Sequence, residues 1–382
     1  MSNQILISDA IQDCSNELNI IGQRVTETDF ILFFNRANKY FMSSYKMPTT
    51  QRVQDYLVFN GVREYSLPTD FVGMMQLERP YEQEQQNFLH GTQKNFMRWM
   101  QNNQTAYKFD KENQLLMVNY NEGESMIIHN LDSITDNGTW AVSGDGLNLA
   151  VDEQYTTGTG SLRFSTTYAT GTAILTNSTI NPIDLTDYID NGFLFLDVFN
   201  PSDTNLTSIN IKIGSDASNY YSVSSITRYN GQGIGKSFGQ VGFDLSTKTT
   251  VGSPVLTANT YIEITITIPV GYSGVIRVDN LFVANPTYFT LPYYSLYNIK
   301  DLTGIYKEKI TTTSDYLLCP AEFYEAITYK VCEQAAALKL SDQAEANYFL
   351  NKCGEKEVEL RAKYPKQEPR NSTTYYKNWN KF

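Results

Sequence analysis

Between residues 125 and 287 the chain repeatedly alternates apolar and polar side chains and shows no apolar periodicity of helix length. In "YIEITITIPV", Ile262, Ile264, Ile266 and Ile268 fall on one side and Glu263, Thr265 and Thr267 on the other; "SINIKIGS" repeats the pattern with Ile209, Ile211 and Ile213. A period of two sends successive side chains to opposite faces of a strand. "NGFLFLDVFNP" and "GVIRVDNLFVANP" are further strands bounded by Gly, Asn and Pro. Short strands separated by turn signals can bury their apolar faces only against one another, which predicts an antiparallel sandwich.

The flanks have another texture. Thr26 and Asp29 stand as a capping pair ahead of Phe30, Phe33, Phe34, Ala37, Tyr40 and Phe41, an apolar stripe at helical spacing. Ser8 is placed to cap an earlier helix carrying Ile11, Cys14 and Leu18. Asn60-Gly61 between two β-prone runs predicts a tight hairpin, "AYKFDKENQLLMVNY" a second one turning at residues 110 to 113, and the run from Phe88 to Met100 a short helix. Beyond the alternating region, Pro320 opens a helix with the stripe Phe323, Ile327, Val331, Ala335 and Leu338. Another follows Ser341-Asp342 and stops at Pro365. The fold class expected is α+β: a discontinuous helical body with β-hairpins, plus an inserted all-β sandwich. The domains expected are residues 1–124 and 291–382 as two parts of one body and 125–290 as the insertion, since insertions are tolerated at loop tips.

Charge narrows the partners. The net charge of −11 is concentrated in residues 125–290, where 14 acidic side chains face 6 basic ones. No basic face is available to neutralise phosphates, so sequence-specific binding of nucleic acid is not expected. The start, "MSNQILISDAIQD", has neither a basic nor an apolar leader region, and no apolar run reaches membrane-spanning length. A soluble chain without a membrane partner is expected, with Cys14, Cys319, Cys332 and Cys353 as free thiols.

Catalytic patterns are weak. "NGQGIGKS", residues 230 to 237, has Asn230 where a phosphate-binding loop needs Gly, and a strand-like run follows it instead of a helix. The two histidines, His90 and His129, lie in no nucleophile or zinc context. No catalytic residue and no enzymatic activity are expected. The C-terminal "KQEPRNSTTYYKNWNKF" has no periodicity but carries Tyr375, Tyr376, Trp379 and Phe382, aromatics suited to docking on a partner.

The order of the flanking elements resembles the head-to-tail adaptor (connector) proteins of tailed bacteriophages. The resemblance runs through "FFNRANKYFMSSY", "YLVFNGVREYSLPTDFVGMMQLE", "YKFDKENQLLMVNY", "LTGIYKEKI", "DYLLCPAEFYEAITYKVCEQAAAL" and "ELRAKYP". It implies a structural virion protein in the neck between capsid and tail, made in the host cytoplasm. It also implies a ring homo-oligomer, commonly of twelve copies, that binds portal and tail proteins while DNA passes through. The large insertion departs from the compact members of that family.

The insertion is similar to jelly-roll modules of carbohydrate-binding type, through "GTGSLRFSTT", "LFLDVFNPSDTNLTSINIKIGSDASNYYSVS" and "VIRVDNLFV". This implies the alternative function of a carbohydrate-binding adhesin or receptor-binding module, with Tyr220, Tyr221 and Tyr229 as candidate glycan contacts. It also implies a structural calcium held by Asp132 and Asp279, although two carboxylates are few for that ion. No other cofactor is expected.

Overall fold

The computed structural model describes residues 3–19, 25–45, 51–74, 89–90, 106–110, 113–120, 123–235, 237–295 and 297–364. Side chains are described throughout these ranges except at 3, 72–74, 89–90 and 106–108. Contacts divide the chain into two compact units. One comprises Met1–Gln54, Thr69–Glu78 and Thr290–Phe382; the other comprises Asp55–Pro68 and Arg79–Phe289.

The described residues of the first unit form four α-helices: α1 (Ile7–Glu17), α2 (Glu27–Ser44), α3 (Ala321–Ala335) and α4 (Gln343–Lys363). The capping box of α2 forms as its sequence predicts. Thr26 Oγ1 accepts the Asp29 amide at 3.2 Å while Asp29 Oδ2 accepts the Thr26 amide at 3.1 Å. Ser8, by contrast, lies inside α1, which starts from Leu6 without a side-chain cap. Asp342 caps α4 through the amides of Ala344 and Glu345. Ile7, Cys14, Phe30, Phe34 and Phe41 share one buried core with Ile299, Leu317, Phe323, Ile327, Val331 and Phe349. Residues from both ends of the chain therefore fill a single apolar interior. Tyr40 and Leu338 leave the predicted stripes and are exposed. For Leu338 the cause is a π-helical turn over Ala336–Leu340, which takes the residue out of phase with α3.

The second unit contains two six-stranded antiparallel sheets. Their strands are β1 (Ser125–His129), β2 (Ala141–Gly144), β3 (Gly146–Asp152), β4 (Ser161–Thr167), β5 (Thr172–Asn177) and β6 (Phe193–Phe199). The remainder are β7 (Ser208–Asp216), β8 (Asn219–Ser225), β9 (Phe238–Asp244), β10 (Thr249–Val251), β11 (Tyr261–Thr267) and β12 (Ser273–Ala284). One sheet runs β3-β4-β12-β6-β9 with β1 also on β12, and the other β10-β8-β7-β11-β5-β2. Ile209, Ile211, Ile213, Ile262, Ile264 and Ile266 are fully or almost fully buried between them, as the alternation requires.

Two turns outside the sandwich strands belong to this unit. The strands Ala106–Asp110 and Leu115–Asn119 pair antiparallel, as predicted. At Asn60-Gly61 the chain does turn, with the Val62 amide donating to the Phe59 carbonyl at 3.2 Å. The predicted tight hairpin is replaced by a corner, because the strand Glu64–Ser66 pairs with Leu115–Asn119. Phe59 explains the change: its ring is packed against Phe193, Phe195 and Tyr229, so the turn is drawn onto the sandwich instead of closing on itself. The expected helix from Phe88 to Met100 lies outside the described residues, except for Leu89–His90, which form a short strand.

Candidate functional site

The outer face of the second sheet is polar because its inward positions are taken by isoleucine. Strand register places Lys212 opposite Glu263 on one side and Ser222 on the other, and Asn210 opposite Thr265 and Ser224. These groups are bonded into one layer. Lys212 Nζ lies 2.7 Å from Glu263 Oε1, and the Tyr261 hydroxyl donates to Glu263 Oε2 at 2.6 Å. Asn210 Nδ2 donates to Ser222 Oγ at 2.9 Å and Ser224 Oγ at 2.8 Å. Burial pushes the Glu263 carboxyl up, but the hydrogen bonds from Lys212 and Tyr261 outweigh it and hold the group below the usual glutamate range.

Tyr220 closes one end of this layer, with Lys212 Nζ 5.0 Å from its ring centroid. Gly214 stands between Tyr220 and Tyr261 in the register. A Cβ there would come within 2.7 Å of Tyr220 Cβ and 2.1 Å of the Asn219 carbonyl, so only glycine lets the strands approach at this point. The result is a half-exposed aromatic face beside a fixed set of donors and acceptors.

The other two candidate tyrosines are placed differently. Tyr221 points inward with Val223 and is 7 % exposed. Tyr229 packs edge-on against Phe59, Tyr65, Phe193 and Phe195 and donates its hydroxyl to the Leu57 carbonyl at 3.2 Å. Both are packing residues, so of the three only Tyr220 is available to a ligand. Alternation alone could have separated Tyr220 from Tyr221, since Tyr221 shares the phase of Val223.

Asp132 and Asp279 hold opposite ends of one loop. Asp132 Oδ1 accepts the amides of Thr159 at 2.9 Å and Gly160 at 3.0 Å, and Asp279 Oδ2 accepts the amides of Thr156 at 2.6 Å and Thr157 at 3.1 Å. Gly158, at φ +77°, brings the loop so close that a Cβ would lie 2.3 Å from Asp132 Oδ1. Asp132 Oδ1 and Asp279 Oδ2 are thus met by N–H donors, while Asp279 Oδ1 is buried without a hydrogen-bond partner; among the described residues no group of three or more acidic, His or Cys side chains gathers around the pair.

The neighbour of Asp279 is Asp197, directly opposite it on β6, and sequence reading missed it. Thr156 Oγ1 lies 2.5 Å from Asp197 Oδ2 and 2.7 Å from Asp279 Oδ2. One hydroxyl has one hydrogen, so Thr156 can donate to only one of these two oxygens at a time. Burial, aided by the nearby Asp279, raises Asp197 to about 6 against the pull of the Thr156 hydrogen bond; burial likewise raises Asp279. The signal in the sequence was an acid inside the apolar run "FLFLDVF".

The glycine-rich "NGQGIGKS" does not present amides to a phosphate. The buried Arg228 guanidinium donates to the carbonyls of Gly235 and Ser237, which turns that stretch into a structural loop. Tyr375, Tyr376, Trp379 and Phe382 lie outside the described residues. No helix among the described residues is long and apolar enough to cross a membrane.

No protein-family model matches the chain, and no curated protein does. Among solved structures it is similar to the family 30 carbohydrate-binding module of cellulase Cel9D-Cel44B of Clostridium thermocellum. The TM-score is 0.32 at 14% identity, covering 42% of this chain and 98% of that module. It is similar also to the family 11 carbohydrate-binding module of Lic26A-Cel5E from the same organism, with TM-score 0.31, 12% identity, and 43% and 95% of the two chains covered. A likeness to an exo-beta-agarase has TM-score 0.29 and 12% identity, covering 50% of this chain and 29% of that one.

Proposed function

We propose that the second unit binds a carbohydrate across the outer face of the sheet β10-β8-β7-β11-β5-β2. The observation that carries this reading is the layer of Tyr220, Lys212, Glu263 and Asn210, whose donors and acceptors are oriented by one another before any ligand arrives. Saccharides offer hydroxyls that both donate and accept, and an apolar C–H face that suits an aromatic ring. Pre-set side chains lose little freedom on binding. A glycan array probed with the full chain and with Tyr220→Ala tests it: specific binding lost in the variant supports the reading, and an array without specific signal overturns it.

A second reading concerns the first unit and is compatible with the first. The chain acts as a structural head-to-tail adaptor in a virion neck, forming a ring on portal and tail proteins, with the sandwich as its carried module. It is favoured by the single core that α1 and α2 share with α3 and α4 across the long intervening sequence. Electron microscopy of the chain mixed with its portal tests it; the expected result is a closed ring on the portal, and persistent failure to associate overturns it.

A further inference from the structure

The second sheet is nearly free of charge. Among the described residues, its six strands carry only three charged side chains: Lys212 and Asp216 on β7 and Glu263 on β11. Strand register sets Thr249, Ser222, Lys212, Glu263 and Thr176 in one row across five strands, so the one cation of these strands sits mid-row. Two acids oppose it. Asp216 is held below the ordinary aspartate range by the Asn219 side chain and the Ser218 amide, and Glu263, despite burial, by Lys212 and Tyr261. Both are therefore ionised at neutral pH.

Lys212 is not placed to act as the counter-charge of a ligand. Its Nζ lies 2.7 Å from Glu263 Oε1, and the two side chains are 29 % and 15 % exposed, so the pair is partly desolvated. An anionic sugar that drew the ammonium away would leave the mostly buried Glu263 carboxylate without its cation and facing a second negative charge. An uncharged sugar meets no such conflict. The ammonium carries three hydrogens, of which Glu263 takes one, and a ligand hydroxyl accepts another while the pair stays intact.

We propose that Glu263 is the specificity-determining residue of this face: by neutralising Lys212 in place, it selects uncharged saccharides and rejects those that bear carboxylate or sulfate. This selection rests on the carbohydrate reading of the same face.

The test is an array carrying uncharged xylan, mannan and galactan oligosaccharides beside oligogalacturonate and heparin fragments. It is probed with the full chain, with Glu263→Gln, and with the double variant Glu263→Gln, Lys212→Ala, and circular dichroism checks folding. Gln is close to Glu in size, so the single variant keeps the shape of the layer and uncovers the Lys212 charge. The parent chain should give a specific signal from an uncharged glycan and none from the anionic ones. Glu263→Gln should raise the anionic signal about tenfold at low salt, and the double variant should abolish that gain. Specific binding of an anionic glycan by the parent chain overturns the charge selection and leaves the carbohydrate reading standing. So does an anionic signal that Glu263→Gln fails to raise. No specific signal from any glycan overturns both.

Discussion

Asn38 and Asn298, 260 positions apart, exchange hydrogen bonds through their side-chain amides, Nδ2 to Oδ1 at 2.8 Å in both directions. Both are almost wholly buried. The pair ties α2 to the chain segment that re-enters the first unit; Asn298 Nδ2 has one further acceptor, the Leu318 carbonyl at 3.4 Å.

Asn38→Ala should therefore cost about 1 to 3 kcal/mol, because it leaves the Asn298 amide buried with a poorer set of partners. Urea unfolding followed by tryptophan fluorescence or circular dichroism measures it. The double variant Asn38→Leu, Asn298→Leu should recover most of the loss, since neither polar group is then left unpaired. Additive losses in the double variant would contradict the coupling.

That pairing was not legible in the sequence, and the reason is general to this chain. Signals of short range were readable: the Thr26–Asp29 cap, the alternating strands, the helix after Pro320, and the buried stripe from Phe323 to Ala335. What failed depended on distant partners. Phe59 is held by rings more than a hundred positions away, so the Asn60-Gly61 turn became a corner. Leu338 was displaced by a π-turn that no periodicity announces. Tyr229 looked exposed because its ring partners Phe59, Tyr65, Phe193 and Phe195 lie far from it in sequence. The candidate site was legible in part: Tyr220 was named, but the Lys212–Glu263 pair needed strand register to be seen.

Asp197 makes stability depend on pH. Its folded-state carboxyl is raised from 3.8 to about 6, so between roughly pH 4 and 6 the folded chain keeps a proton that the unfolded chain has released. Stability contributed by this group therefore falls as pH rises through that window, by roughly 3 kcal/mol in all. Asp197→Asn should flatten the difference and raise the midpoint at neutral pH. Denaturant midpoints at several pH values compare the two chains; identical pH profiles would refute the assignment.

His129 should be neutral in the folded protein. Its Nδ1 accepts the Leu131 amide at 2.9 Å and so carries no hydrogen, while Nε2 lies 2.8 Å from the Asp136 carbonyl and 3.1 Å from the Trp140 indole nitrogen. Burial lowers its pKa despite the help that the Asp136 carbonyl gives the charged form. Stability from this group is present above about pH 6.5, the unfolded value, and is lost as pH falls below it. Nitrogen-15 NMR should show an unprotonated Nδ1 at pH 6.5; a half-protonated ring at that pH would contradict the geometry.

All four cysteines are free and buried. Burial raises the thiols of Cys14, Cys319 and Cys353, which suppresses the reactive thiolate. A thiol reagent such as Ellman's should find essentially no reactive group in the native chain and all four in denaturant. Rapid labelling of the native chain would show that the core of the first unit opens readily.

Glycan-array binding of the chain beside Tyr220→Ala and Lys212→Ala tests the proposed carbohydrate face most directly. Both side chains are half-exposed on the outer sheet, so the variants should fold. The account predicts a specific glycan signal that drops by about tenfold or more in each variant while Tm changes little. A specific signal that survives both substitutions, or no specific signal from the folded parent chain, would contradict it.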